Sequence, residues 1–418
     1  MNYRTLIPAA PAILAVACTS WAPISHAAFV ADSKATLELR NIYFNRDFRE
    51  GVGQSKREEW AQGFLLKLQS GYTDGTVGFG LDALGLLGVK LDSSPDRSNT
   101  GLLPVHDDGR AADEFANLGL TGKIRISQTE LKIGTHIPVL PVLKPNNGRI
   151  IPQTFDGVML TSRDIGKLTI TAGQLKEVKQ RNSSGRDTLQ LNNKNSRFAG
   201  AAEADYFNLF GMETPLGESF KATYFAAELD NIYRQHFFGL NSTHALGEGT
   251  LTADVRLSLS DDYGRKAGGK VDNRAFNGML SYAQAGHKVG LGWQDMSGET
   301  GFAYVNGTDP FLINFSQIND FANPDERSYQ ARYDYDFSHA GVPGLSFMTR
   351  YIRGSGATVI NSTESGKEWE RDSEIRYVFQ KGLLKNLSLR LRNASYRSSF
   401  ARDADENRVI VGYTFTLR

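Results

Sequence analysis

The chain closes on Arg408-Val409-Ile410-Val411-Gly412-Tyr413-Thr414-Phe415-Thr416-Leu417, a run with a strict two-residue rhythm. Val409, Val411, Tyr413, Phe415 and Leu417 fall on one face, while Arg408, Ile410, Gly412, Thr414 and Thr416 fall on the other. Successive strand side chains point to opposite faces, so a wall with lipid outside and water inside imposes this period. The same rhythm recurs upstream. Tyr329, Ala331, Tyr333, Tyr335 and Phe337 alternate with Ser328, Gln330, Arg332, Asp334 and Asp336, and Leu251, Ala253, Val255, Leu257 and Leu259 alternate with Thr252, Asp254, Arg256, Ser258 and Ser260. Many such repeats with almost no helical stretch predict an all-β, transmembrane antiparallel β-barrel.

Flanking Gly, Pro, Asn and Asp place strands near 34–44, 60–71, 75–90, 115–127, 129–137, 155–163, 167–178, 200–210 and 218–229. The second half gives 231–242, 249–260, 274–284, 287–296, 326–337, 344–354, 371–380, 386–397 and 408–417, eighteen strands in all. An even count puts both ends of the chain on the periplasmic side. The connections alternate between long and polar (91–114, 179–199, 297–325) and short (Gln128, 164–166, 285–286), as external loops and periplasmic turns do. The junction at 229–231 is too tight for that scheme. A barrel this wide leaves an aqueous channel, which makes transport the leading function.

Composition neither supports nor opposes this reading, because only half of each strand of such a barrel meets lipid. Beyond the N-terminus no run of about 18 apolar residues occurs, which excludes ordinary helical spans. Thr5 to Cys18 is apolar, follows Arg4 and precedes the small-x-small site Ser25-His26-Ala27, so residues 1–27 read as a cleaved signal peptide and 28–418 as the exported barrel. Cys18 is the only cysteine and leaves with the leader, consistent with export without disulfides. The 47 Lys and Arg nearly balance the 46 Asp and Glu, whereas a nucleic-acid binder would be lopsided. Charge must therefore act through its placement.

The connection after the fifth strand, Pro138-Val139-Leu140-Pro141-Val142-Leu143-Lys144-Pro145-Asn146-Asn147-Gly148-Arg149-Ile150-Ile151-Pro152-Gln153-Thr154-Phe155, is too apolar for an exposed loop. Its four prolines stiffen it, and its aliphatic residues need a surface. Folding inward onto the barrel wall satisfies both, and it would hold Arg149 at a constriction.

Five ordered segments, Leu39 to Phe48, Gly75 to Asp82, Arg149 to Thr154, Ser328 to Asp334 and Gly341 to Tyr351, resemble the OprD family of outer-membrane porins. The resemblance spans essentially the whole exported chain and implies an eighteen-stranded, substrate-selective channel. The stretches Thr308 to Phe315 and Asn319 to Pro324 resemble the OccK subgroup, whose members favour carboxylates, often aromatic ones. The resemblance further implies an eyelet at Asn147, Arg149, Arg181 and Asp309. Members often carry Asp where Asn147 stands, a change that leaves this eyelet more positive.

Members also guide anions along a row of basic side chains, and the alternation offers candidates. Arg40, Arg46, Lys67, Lys132, Arg350, Arg376, Arg390, Arg392 and Arg408 are all predicted to point inward. A cation facing lipid near the midplane costs ~2–4 kcal/mol, so inward placement is forced whatever the function. Glu38, Glu130, Asp254, Asp334 and Glu374 line the same lumen. Selectivity therefore requires positive charge to be contiguous along one wall, and Arg40, Arg390, Arg392 and Arg408 lie on the adjacent first, seventeenth and eighteenth strands.

The expected function is passive diffusion of small anionic solutes, benzoate-like carboxylates among them, across the bacterial outer membrane. No cofactor and no metal is implied. The expected partners are the solutes, outer-membrane lipid and lipopolysaccharide, and the barrel-assembly machinery, with no nucleic acid, and the barrel could act as a monomer or a homotrimer. A porin of the same family for basic amino acids is the nearest alternative. A barrel enzyme would need a nucleophile and base; the histidines are scattered, and His106 beside Asp107 and Asp108 reads as a solvated loop. Gly78-x-Gly80-x-x-Ala83 is followed by no helix pattern and reads as barrel packing. An adhesin would be expected to show loop repeats, and the loops have none.

Overall fold

A computed structural model describes residues 26–360 and 363–418. The expected leader lies, up to residue 25, outside the described residues. After a short helix, His26–Ala31, the chain forms eighteen wall strands among the described residues. The first nine are β1 Lys34–Phe48, β2 Lys56–Gln69, β3 Val77–Asp92, β4 Glu114–Ile126, β5 Thr129–His136, β6 Thr154–Ile165, β7 Leu168–Lys179, β8 Phe207–Leu216 and β9 Phe220–Leu229. The others are β10 Tyr233–Leu246, β11 Gly249–Asp262, β12 Asp272–Gln284, β13 His287–Ser297, β14 Arg327–Asp336, β15 Leu345–Ala357, β16 Gly366–Val378, β17 Ser388–Ser398 and β18 Ala404–Thr416.

Each strand pairs antiparallel with its sequence neighbours, and β18 returns to β1 in a register running from Thr36 opposite Thr416 to Phe48 opposite Ala404. Closure leaves the wall strands no free edge, so their backbone donors and acceptors find partners in the neighbouring strands, apart from bulges such as those at Trp60/Ala61 and Asp156/Gly157. The outer face carries the apolar half of the alternation: Leu391, Val409, Phe415, Leu291 and Tyr329 are all exposed. The inner half includes Arg390, Arg392, Glu406 and Arg408.

Several expected strand bounds need correction. Residues 200–206 alternate like a strand but belong to a loop, in which Glu203–Ala204 pairs with Asp187–Gln190. The wall strand starts at Phe207 and runs through Gly211, which reads as a turn residue. There the missing side chain makes room for Phe225, whose ring would lie 2.1 Å from a Cβ at position 211. The tight junction before the tenth strand is real: β9 and β10 are joined by 230–232 alone, with Asn231 at positive φ and its side-chain oxygen accepting from the Arg265 backbone N–H of the next loop. The sixteenth and eighteenth strands also start earlier than expected, at Gly366 and Ala404.

Candidate functional site

Two long connections enter the barrel. In the first, 137–153, Val142 and Leu143 bury against Leu189, Phe207 and Phe225. At its other end Ile150 and Ile151 bury against Ile42, Phe44, Leu102 and Leu103. Val142 and Leu143 at one end and Ile150 and Ile151 at the other therefore act as two anchors, with Lys144 to Arg149 held between them, while Val139 stays exposed.

The second, 298–326, has its backbone satisfied by wall side chains, as a buried segment requires. Glu370 on β16 accepts from the N–H groups of Ile318 (2.8 Å) and Asn319 (2.9 Å) and from Ser316 Oγ (2.7 Å). Asn277 and Gln294 accept from the N–H groups of Ile313 and Asn314. The two loops meet at Asp309, whose N–H donates to the Lys144 carbonyl at 2.8 Å and whose Oδ1 accepts from Asn146 Nδ2 at 2.6 Å. Burial raises the Asp309 carboxyl above its ordinary pKa, against the pull of Lys144.

Arg149 is nearly enclosed. Its Nε donates to the Thr100 carbonyl at 3.0 Å, and its guanidinium carbon sits 4.9 Å from the centre of the Phe44 ring, which Arg46 and Arg408 also flank. Asn147 accepts from Arg40 Nη1 at 2.6 Å, tying the loop to β1. Arg181 lies against Gly101, the residue after Thr100. Burial and the nearby Arg408 lower its pKa to about 10, so it stays charged at neutral pH, and burial likewise depresses Arg149.

Along the wall three of these cations bond a carboxylate two residues away on the same strand, the spacing that shares a strand face. Arg40 bonds Glu38 (2.6 Å), Lys132 bonds Glu130 (2.7 Å) and Arg408 Nε bonds Glu406 (2.6 Å). Arg390 and Arg392 instead share one acid, Glu374 on the neighbouring strand, at 3.4 and 3.1 Å. Arg376 is exposed and makes no ion pair among the described residues, with only Ser388 Oγ at 3.4 Å. Arg40, Arg149, Arg376, Arg390 and Arg392 line one cavity of about 370 Å³ beneath the 137–153 loop, beside Glu38 and Asn147.

The nine basic wall residues do not make a single row. Lys67 and Lys132 line a different cavity, of about 550 Å³, with Glu130, Asp82 and Glu213. Arg46, Arg350 and Arg408 serve as braces. Glu406, fully buried, bonds both Arg46 and Arg408 and also accepts from Gln317; Arg350 bonds Asp372 (2.6 Å) and the Phe315 carbonyl (3.1 Å). They hold the 298–326 loop against the wall.

Sequence reasoning missed Arg256 and Arg332, inward cations bonded to Asp254 and Asp334. The signal was present, since each stands two residues from an acid already placed in the lumen. It also missed Thr100, whose carbonyl holds Arg149, and no local pattern marks that contact.

The family model described as outer membrane porin, OprD family, matches residues 27–417. The porin-like protein GalP of Pseudomonas putida is 38% identical over 421 residues, covering 100% of both chains. The crystal structure of Pseudomonas aeruginosa OccK9 (OpdG) superposes with a TM-score of 0.90 at 47% identity, covering 93% of this chain and 100% of that one. Pseudomonas aeruginosa OpdK, solved with vanillate, gives 0.87 at 42% identity, covering 93% and 100%. With a closed eighteen-stranded wall, two inward loops and relatives matched over their full length, the chain belongs to the OprD family of outer-membrane porins.

Proposed function

We propose that this porin passes small organic anions, aromatic carboxylates of the benzoate class in particular, by passive diffusion past Arg149 and Arg181 and along the Arg376, Arg390, Arg392 and Arg40 wall. The supporting observation is the five-arginine cavity directly below the constriction, in which one glutamate serves two arginines. A guanidinium presents a planar fork that suits a carboxylate, and a charged cleft concentrates counter-ions. That a relative was solved with vanillate, itself an aromatic carboxylate, agrees with this reading. Export through a cleaved leader at 1–27 is part of the same proposal.

Reversal potential in a planar bilayer under a salt gradient tests it. Anion preference with current block by added benzoate is expected; cation preference with block by added arginine would overturn the reading in favour of basic solutes. In the Arg390→Gln, Arg392→Gln double variant the anion-to-cation permeability ratio should fall about tenfold, the low end of the enrichment a charged cleft provides. Arg149→Ala should raise conductance and weaken anion preference, because it removes both bulk and charge at the narrowest level. If neither quantity moves, Arg149 is not at the constriction.

A further inference from the structure

Several strands around the wall from the arginine cavity lies a third one, of about 510 Å³, between the tip of the 298–326 loop and the periplasmic turns after β10 and β12. Its two halves differ in chemistry. The loop tip buries Asn314 and Ser316 against the wall and turns Phe311, Ile313 and Phe315 toward the cavity. Met279 continues that apolar surface. A Cβ at Gly292 would stand 3.0 Å from the Met279 methyl and 3.1 Å from Ile313, so the bare glycine lets Met279 and Ile313 pack closely onto the wall as one apolar surface.

The opposite half is cationic, and its charges divide into spent and unspent. Arg256 donates twice to Asp254, at 3.0 and 2.6 Å, and lies 3.9 Å from the centre of the Phe311 ring. Arg332 donates twice to Asp334, both bonds at 2.7 Å. Lys144 is only 4.0 Å from Asp309, and Lys288, exposed on the inward face of β13, makes no ion pair among the described residues. The charge free of a carboxylate is therefore that of Lys288, joined by Lys144, whose ion pair with Asp309 is long, across from an apolar patch. Asp254 is already bonded twice to Arg256, so a cationic solute would have to compete with a resident guanidinium, and a purely aliphatic small anion would leave the loop tip uncovered.

We infer that this cavity is a second resting site for an aromatic carboxylate, with the ring against Phe311, Ile313 and Met279 and the carboxylate at Lys288 and Lys144. The inference rests on the anion-selective reading above and extends it: the solute's ring as well as its charge is recognised, at a place separate from the arginine wall. Weak binding is what a channel requires, since a site that holds its solute too long blocks flux.

The test is single-channel recording of the reconstituted full chain with benzoate or acetate added. In the wild type, benzoate closures should outlast those of acetate. Lys288→Gln alters an exposed side chain, so folding is not at stake, and it should shorten benzoate closures about fivefold, the upper range for a solvent-exposed ion pair. Lys288→Arg should restore them. Ile313→Ser should shorten benzoate closures and leave acetate unchanged. Benzoate closures unaltered in Lys288→Gln and Ile313→Ser but lost in the Arg390→Gln, Arg392→Gln variant would overturn this second site and leave the anion-selective reading standing. Absence of benzoate closures in the wild type would remove both.

Discussion

Replacing Gly63 with valine is expected to open the pore more than any other single change. Gly63 lies on the inward face of β2 between Ala61 and Leu65, both fully buried. A Cβ there would stand 2.3 Å from the Ile150 carbonyl oxygen and 2.9 Å from its carbon. Those atoms are backbone in a stretch closed off by Pro152, so no side-chain rotation relieves the clash and the loop must lift. Lifting pulls Ile150 and Ile151 away from Ile42, Phe44, Leu102 and Leu103, at ~1.5–3 kcal/mol for each isoleucine uncovered. Arg149 leaves the Phe44 ring with them. The strand ladder on both sides of Gly63 uses only backbone groups, so the barrel itself should persist. Unitary conductance should rise severalfold while the folded band on an unheated gel remains; unchanged conductance would mean that 137–153 does not limit the pore.

Asp320→Asn is expected to unlatch the other inward loop. Asp320 accepts two parallel bonds from Arg197 of the 180–206 loop, Nη2 to Oδ1 at 2.6 Å and Nη1 to Oδ2 at 2.7 Å, with both side chains almost fully buried. Tyr304 donates a third at 3.0 Å. Asparagine keeps the shape but strands the guanidinium, and breaking a buried pair from one side costs ~3–5 kcal/mol. The current should become noisy, with sub-conductance steps at neutral pH; a variant as quiet as the wild type would show that the pair does not hold the loop. Burial pushes the Asp320 carboxyl up, but Arg197 and Lys194 outweigh it and hold the carboxyl well below the usual range. A depressed folded pKa gives stability that is fully present above about 3.9, the unfolded value, and is lost only as pH falls through the lower folded one. Wild-type recordings should therefore stay quiet at pH 4. Asp309, raised by burial, takes up its proton before an ordinary carboxylate would, so the meeting point of the two inward loops loses a negative charge on mild acidification while the latch still holds.

The wall was legible in the sequence because a period of two is a physical requirement repeated in every strand. It misled where a local signal had a non-local cause. Gly211 reads as a turn until Phe225 is known to lie across from it, and residues 200–206 alternate outside the wall, where only Glu203–Ala204 pairs, with Asp187–Gln190 of the same loop. The inward course of 137–153 followed from its aliphatic content, but the partners of its anchors did not, since Ile42 and Leu102 come from β1 and from the 93–113 loop. The basic residues were placed by facing alone, and facing does not distinguish a brace from an open charge. Arg350 and Arg376 look alike in sequence, but Arg350 is bound to Asp372 and a loop carbonyl, while Arg376 stands open.

The glutamate shared by two arginines has a consequence for speed. Arg390 and Arg392 already hold a carboxylate in Glu374, so on the proposed anion-selective reading a solute carboxylate reaching them would exchange with a resident ligand rather than strip water from a bare cation. Each bond the solute forms is offset by one relaxed within the wall. The free-energy profile expected along such a surface is shallow in both directions, with neither a deep well to trap the solute nor a desolvation barrier to repel it.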